Sequence, residues 1–500
     1  MLQSVLIANR GEIALRIIRA CRELGVRSVA VYSDADAGAP HVRAADSAVN
    51  IGPAPSSQSY LLGDRIIEAA LREGAEAIHP GYGFLSEREW FARAVRDAGL
   101  IFIGPPAEAI AAMGSKTAAR TLAVANDVPV VPGTIDAIAD AARAADIAAE
   151  FGYPVLLKAA AGGGGKGMRV VREPSEIASS FFAARREAKN AFGDDAIYLE
   201  KYIEGPRHVE IQIIADMHGN VVSLGERECS VQRRHQKMIE EAPSVAVNPA
   251  LRAEMGATAV RAARAAGYVN AGTCEFLLDR DGKFYFLEMN TRLQVEHPVT
   301  ELVTGVDLVQ WQLRVASGEP LGFTQADITP RGWAMECRIT SEDPANDFLP
   351  STGRVSYLQL PSGPGVRWDG GIETGSDVSL HYDPMLAKLI VHAPTRDLAI
   401  ERMHRALTEL VITGIDTSRE FHLRVMEDAE FRAGAIEIQW LERRLASLTT
   451  DPGTDDGAMI AAVAGALLAE SDTAPRTKAG PEADSAMSAW QRAGRLESLR

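Results

Sequence analysis

Cysteine is scarce in this chain: four residues in 500, Cys21, Cys229, Cys274 and Cys337, far apart and forming no CxxC pair. A zinc site or a disulfide framework is therefore not expected. No apolar run approaches the length of a membrane span. The opening Met-Leu-Gln-Ser-Val-Leu-Ile-Ala-Asn-Arg-Gly lacks the charged, apolar and small-residue zones of a signal peptide, so a cytosolic location is expected. Basic residues are in deficit, 52 Lys and Arg against 67 Asp and Glu, for a formal net charge of −15. That balance argues against nucleic acid or an anionic membrane as partner. Any anionic substrate must meet a local concentration of Lys and Arg.

What is present is ordinary for a globular chain, with 46% hydrophobic and 24% charged residues. The length is too great for one core and implies two to four domains. Val5–Ala8 reads as a buried strand, and Ile13, Ile17, Cys21 and Leu24 recur at helical spacing after it. Val29–Tyr32, Ala77–His79 and Ile101–Ile103 add strands with helical patterns between them, which predicts a doubly wound parallel sheet over residues 1–113. Its ligands should lie beyond the strand C-termini, at Asn9-Arg10-Gly11 and Gly81-Tyr82-Gly83-Phe84. Neither loop makes a GxGxxG, so a dinucleotide is not expected there. A second unit is predicted over 114–330 and a third, α+β, over 331–448. The tail 449–500 turns to Asp, Gly, Ala, Ser and Pro, with one candidate helix near Met459–Glu470.

The densest chemistry lies at 286–301. Phe284, Phe286, Leu287 and Met289 read as a buried strand, yet Glu288 and Asn290 interrupt it with oxygen ligands. If Asp281-Gly282 forms a two-residue hairpin turn, Glu275 faces Glu288 across the ladder. Like charges so placed repel, and a divalent cation would relieve the repulsion. Alternation places Glu288 and Asn290 on one face, ~7 Å apart. Oxygen ligands suit Mg²⁺ or Mn²⁺, and a set this small suits an ion carried on nucleotide phosphates. Arg292 beside Glu296 would hold a small anion and deprotonate it.

Gly162, Gly163, Gly164 and Gly165, followed by Lys166, let backbone N–H groups approach a polyphosphate. Lys166 precedes Gly167 and Met168 rather than Ser or Thr, so the run is a flap or a linker and not a Walker loop. Residues 226–237 pack charge too densely for a core strand. They suit either a solvated edge or ribose and phosphate contacts. Arg338 is a surface ion-pair residue unless the fold returns it to Arg292 and Glu296.

Together, Ile-Ala-Asn-Arg-Gly-Glu-Ile-Ala at 7–14, His-Pro-Gly-Tyr-Gly-Phe-Leu-Ser-Glu at 79–87, Met-Gly-Ser-Lys at 113–116, the glycine run, 226–237 and Glu-Met-Asn-Thr-Arg-Leu-Gln-Val-Glu-His at 288–297 resemble the biotin carboxylase component of biotin-dependent carboxylases. That is an ATP-grasp family, and the match runs from about Val5 to Leu448. The resemblance implies an ATP-grasp domain with a mobile lid at about 131–203. It implies ATP contacts from Lys116, Lys158, His208 and the glycines, with Glu200, Lys201 and Ile203 at the adenine and Gln232 and His235 nearby. Glu275, Glu288 and Asn290 would hold Mg²⁺ or Mn²⁺, two sites in all. Lys237, Arg292, Gln294, Val295 and Glu296 would surround bicarbonate, Glu296 as its base, with Arg338 and Tyr82 at biotin.

Arg16, Arg19, Glu23 and Arg367 fall where the family's dimer contacts lie, so a homodimer is implied. Ser115 and Lys166 depart from the family's more common Asp and Arg. The biotin attachment sequence, a Lys between two Met, is absent from the tail, so biotin is expected on a separate carrier protein, with the carboxyltransferase on a further chain. Two rivals share part of this pattern: another ATP-grasp carboxylate–amine ligase, and a non-catalytic nucleotide-binding subunit.

Overall fold

The computed structural model describes residues 1–134, 137–159 and 168–450, together with Ile460 and 463–465, the side chains of 116, 191 and 192 excepted. Gly162, Gly163, Gly164, Gly165 and Lys166, and the side chain of Lys116, lie outside the described residues, as does most of the expected tail helix. Met1–Thr449 packs as one unit and Thr450–Arg500 forms another, of which Thr450, Ile460 and 463–465 are described, the last four in helical conformation. Among the described residues no helix is long and apolar enough to cross a membrane.

The chain opens on five parallel strands in the spatial order Ser47–Gly52, Arg27–Ser33, Ser4–Ile7, Ala77–His79, Ile101–Phe102. Ser4–Ile7 lies in the middle and is buried throughout, as a strand covered on both faces must be. Helix Gly11–Glu23 turns Ile13, Ile17 and Cys21 into the core beside it. The doubly wound expectation holds. Strand order reverses at Ser4–Ile7, so the crevice opens where that strand and Ala77–His79 end. There the Asn9 amide donates to the carbonyls of Pro80 (2.8 Å) and Tyr82 (2.7 Å), tying the two loops together.

A three-stranded antiparallel sheet follows, ordered Met168–Val171, Val155–Ala159, Ile197–Lys201. Helices Ala141–Phe151 and Ile177–Phe192 cover it over a small core of Val155, Leu157, Phe181 and Leu199. These elements lie in the segment expected to form a lid.

The largest sheet among the described residues is antiparallel and eight-stranded, ordered Phe284–Asn290, Asn270–Leu278, Arg207–Ala215, Val221–Arg233, Gln236–Ala242, Trp333–Thr340, Met385–Ala393, Val366–Gly370, and three two-stranded ribbons accompany it. Its ladder runs unbroken across position 330, because Gln236–Ala242 pairs with Trp333–Thr340.

Two expectations need correction. The charged run from 226 is a central strand rather than a solvated edge: Glu226, Arg227 and Glu228 are buried. Each charge there has a partner, which is what permits the burial. Arg227 bonds Glu210, Gln212, Thr273 and Thr300, Glu226 bonds Arg252, and Glu228 bonds Ser230 and Ser244.

The hairpin also differs. Leu278 pairs with Phe284 across a longer loop, and a bulge between Glu275 and Phe276 then restores Glu275 opposite Glu288. The pairing is as expected but the route is not. The bulge turns Leu287 and Glu288 outward to solvent, so Glu288 is exposed instead of buried.

Candidate active site

The strand Arg207–Ala215 carries His208, Glu210 and Gln212 at period two, and all three are buried. Register sets Glu210 against Glu275 on one side and Arg227 on the other. Lys237, near the start of Gln236–Ala242 two strands away, reaches into this row. Its Nζ donates to Glu210 (2.6 Å), Glu275 (2.9 Å) and Glu296 (2.7 Å). Burial opposes the lysine's charge, but three carboxylates, Glu210 foremost, hold it well above its ordinary range.

Glu296 ends the loop after Phe284–Asn290 and immediately precedes helix His297–Thr304, whose first turn contains Pro298. It is wholly buried. Lys237 takes one oxygen, and Arg338 Nη2 donates to the other at 3.0 Å. Burial would raise this carboxyl, yet Lys237, then Arg338 and Arg227, hold it well below the usual carboxylate range. The loop itself is pinned: the buried Lys388 Nζ donates to the Val295 carbonyl at 2.8 Å.

Glu275 Oε1 accepts from Lys237, from the Asn290 amide (2.9 Å) and from the Gln294 amide (3.1 Å). Its Oε2 lies 3.1 Å from His208 Nε2. Burial raises Glu275, but Lys237 and His208 outweigh it and lower the carboxyl. Arg292 donates to Glu87 (2.9 Å), Gln294 (2.8 Å) and Asn290 (3.1 Å). The fold therefore joins Lys237, Glu275, Asn290, Arg292, Gln294, Glu296 and Arg338 in one hydrogen-bonded network.

The donor chemistry fits a hard divalent cation, with the carboxylate residues Glu275 and Glu288 paired in backbone register and the Asn290 amide oxygen on the same strand as Glu288. His208, Glu210 and Glu275 also bring ligand atoms within 4.8 Å of one another.

The expected nucleotide residues are more dispersed. Lys158 and Glu200 meet at 2.5 Å in the three-stranded sheet, where Arg120 also bonds Glu200. Lys201 turns away to the carbonyls of Gly152 and Tyr153, and Ile203 lies half-buried just after that strand. Gln232 is buried and its amide nitrogen lacks a partner among the described residues. His235 is exposed at the tip of the hairpin joining Val221–Arg233 to Gln236–Ala242. Tyr82 is half-buried, its ring 5.9 Å from Lys388 Nζ.

Arg16 and Arg367 both bond Glu301 within this chain, at 2.8 and 2.7 Å. Glu23 accepts from Gln310 and Arg19 is exposed. Sequence reasoning missed Glu210, Glu87, Arg227 and Lys388. Glu210 had a signal, since it alternates with His208 and Gln212 while Val209, Ile211 and Ile213 between and after them are apolar.

Residues 1–110 match the "Biotin carboxylase, N-terminal domain" family, 115–324 the "Carbamoyl-phosphate synthase L chain, ATP binding domain", and 336–443 the "Biotin carboxylase C-terminal domain". The chain is 52% identical over 446 residues to a biotin carboxylase of Haemophilus influenzae, covering 89% of this chain and 99% of that one. It is 50% identical over 443 residues to biotin carboxylase 1 of Bacillus subtilis, covering 88% and 98%. Among solved structures it resembles the biotin carboxylase domain dimer of Hydrogenobacter thermophilus 2-oxoglutarate carboxylase, in complex with MgADP, ADP and bicarbonate. The TM-score there is 0.83 at 46% identity, over 91% of this chain and 100% of that one. With all three matched regions in order along the sequence, this chain belongs to the biotin carboxylase family.

Proposed function

We propose that this chain catalyses the ATP-dependent carboxylation of biotin borne on a separate carrier protein, consuming bicarbonate and giving ADP, phosphate and carboxybiotin. One observation carries the reading: Glu296, wholly buried, is an anion shared between Lys237 and Arg338, in a network that includes the oxygen ligands Glu275 and Asn290.

Glu296 accepts the bicarbonate proton as a bicarbonate oxygen attacks the γ-phosphorus of ATP and ADP leaves. The resulting carboxyphosphate releases CO₂, and its phosphate takes the proton from the ureido nitrogen of biotin. Arg338 holds the enolate while its nitrogen attacks CO₂. Glu275, Glu288 and Asn290 would hold Mg²⁺, which neutralises phosphate charge when bound. Lys237 and Arg292 bind the anion, and the Lys388 bond fixes the Val295 backbone beside it. Two of the cations that depress Glu296, Lys237 and Arg338, are those the incoming anions recruit, so substrate entry draws them away and returns basicity to the carboxylate.

The glycine run and Lys116 complete the phosphate site in this reading, with Lys158, Glu200, Lys201, Ile203, His208, Gln232 and His235 around the nucleotide. In this reading the domains span 1–113, 114–330 with the lid at 131–203, and 331–448. The protein works in the cytoplasm as a homodimer, with the carboxyltransferase on another chain selecting the final acceptor.

Incubation with MgATP, labelled bicarbonate and free biotin tests this. ADP release stimulated by biotin, with label in carboxybiotin, supports the reading. ADP release indifferent to biotin would point instead to another ATP-grasp ligase, and nucleotide binding without ADP release to a non-catalytic role.

A further inference from the structure

Glu240 and Glu336 are register partners on the neighbouring strands Gln236–Ala242 and Trp333–Thr340, and both are wholly buried. They share the sheet face of Ala242 and Ala334, which pack with Val299 and Val303 of helix His297–Thr304. Ile239, Met335, Cys337 and Ile339 belong to the core on the opposite face. Carboxylates facing each other across a ladder sit ~5 Å apart at Cβ and repel when both are ionised.

Here one of the two has a cation. Glu240 Oε1 accepts from Arg338 Nε at 2.6 Å, while Glu240 Oε2 and both Glu336 oxygens have no donor among the described residues. The neighbouring cations are engaged elsewhere. Lys237 serves Glu210, Glu275 and Glu296. Lys388, whose charge faces Glu336 from the next strand, bonds the Val295 carbonyl and lies 3.3 Å from Glu12. From the helix above, His297 is held neutral by burial and by the charges of Lys388, Arg16 and Arg367. Glu296 adds a further negative charge to the same surroundings.

We propose that Glu336 is a neutral acid whose hydroxyl donates to Glu240 Oε2, leaving Glu240 as the single anion that orients Arg338. The two carboxyls hold one proton and one negative charge between them. Burial, first among the causes, pushes Glu240 up to about 7 and Glu336 well above its ordinary range, the order in which Glu336 keeps its proton after Glu240 has ionised. The pair supplies what the reaction needs. Arg338 is held at both ends, by Glu240 and by Glu296. When Glu296 takes up the bicarbonate proton its grip weakens, and Glu240 remains as the anchor. Glu240 and Glu336 are thus positioning residues, and the inference rests on the role given to Arg338 above.

The test compares Glu336→Leu, which removes the donor, with Glu336→Gln, which keeps an uncharged N–H donor. Glu336→Leu should lower kcat with biotin about tenfold or more, while KM for MgATP and biotin-independent ADP release change less than about twofold. Glu336→Gln should restore kcat to within about threefold of the parent, because its amide still donates to Glu240. Infrared spectra at pH 8 should show a protonated-carboxyl C=O band in the parent that Glu336→Gln lacks.

Full activity in Glu336→Leu overturns the proposal. So does a Glu336→Gln variant as impaired as Glu336→Leu, or the absence of the band difference, which is readable even where Glu336→Leu fails to fold. Arg338→Met separates the two levels: if it also turns over biotin normally, the role assigned to Arg338 falls, while the infrared band still decides whether the proton is there.

Discussion

Arg338→Met removes a guanidinium that binds Glu240 at 2.6 Å and Glu296 at 3.0 Å and leaves an apolar stem of similar reach. In the proposed reaction it removes the donor that stabilises the biotin enolate. One such preorganised donor is worth about 3–4 kcal/mol of barrier, so kcat with biotin should fall about 10²- to 10³-fold. The nucleotide side should be untouched, because Glu275, Glu288 and Asn290, the proposed ligands of the cation, lie on strands across the sheet from Arg338. Stability should fall as well. Stripping one partner from a buried ion pair costs about 3–5 kcal/mol, and the lower end applies because Glu296 keeps Lys237 at 2.7 Å and Glu240 can take up a proton. The assay is ADP release with and without free biotin, at saturating MgATP and bicarbonate, on protein shown to be folded. Parent-like biotin-stimulated turnover in the folded variant would refute the reasoning.

Lys237→Met deprives Glu275 and Glu296 of the cation that depresses both, while Glu210 retains Arg227. Stability at pH 7.5 should drop by about 3–5 kcal/mol, with the gap to the parent narrowing as pH falls and the freed carboxyls protonate, measured by chemical denaturation across pH. Asp369, held at about 2 against an ordinary 3.8 by Arg367 despite burial, contributes about 2 kcal/mol. Because the shift is downward, that contribution is complete above pH 3.8 and disappears as pH falls through about 2. Asp369→Asn should therefore differ from the parent at pH 7 and converge with it in strong acid. Glu275→Gln or Glu288→Gln should raise the Mg²⁺ concentration needed for nucleotide to increase Tm, and chelation should abolish that increase in the parent; an unchanged Mg²⁺ dependence would remove these residues from the cation site. Lys388→Met frees the Val295 carbonyl and should raise KM for bicarbonate more than KM for MgATP.

The parallel sheet was legible because its strands are short apolar runs between helical repeats, and covered strands have no other way to read. The cluster at 288–297 was legible because hard ligands interrupt an apolar pattern. The buried strand at 221–233 was not, since its charges make sense only against Glu210, Arg252 and Ser244, which come from other elements. A pattern rule sees the strand's charge and not its partners. The bulge beside Glu275 escaped for a similar reason: a bulge moves register by one residue without changing composition, so the facing carboxylates were found while the exposure of Glu288 was not. Glu240 and Glu336 stand nearly a hundred positions apart, and nothing local marks either as half of a pair.

The ladder that runs uninterrupted past position 330 has a consequence for anyone dissecting this protein. A fragment truncated there would present the backbone of 236–242 as a naked edge, its pairing groups open to whatever strand it met. Such a piece should clump rather than fold. Transplanting the C-terminal part from a relative would succeed only if the graft brought its own matching edge, so the two halves are exchangeable as a seam and not as separate blocks.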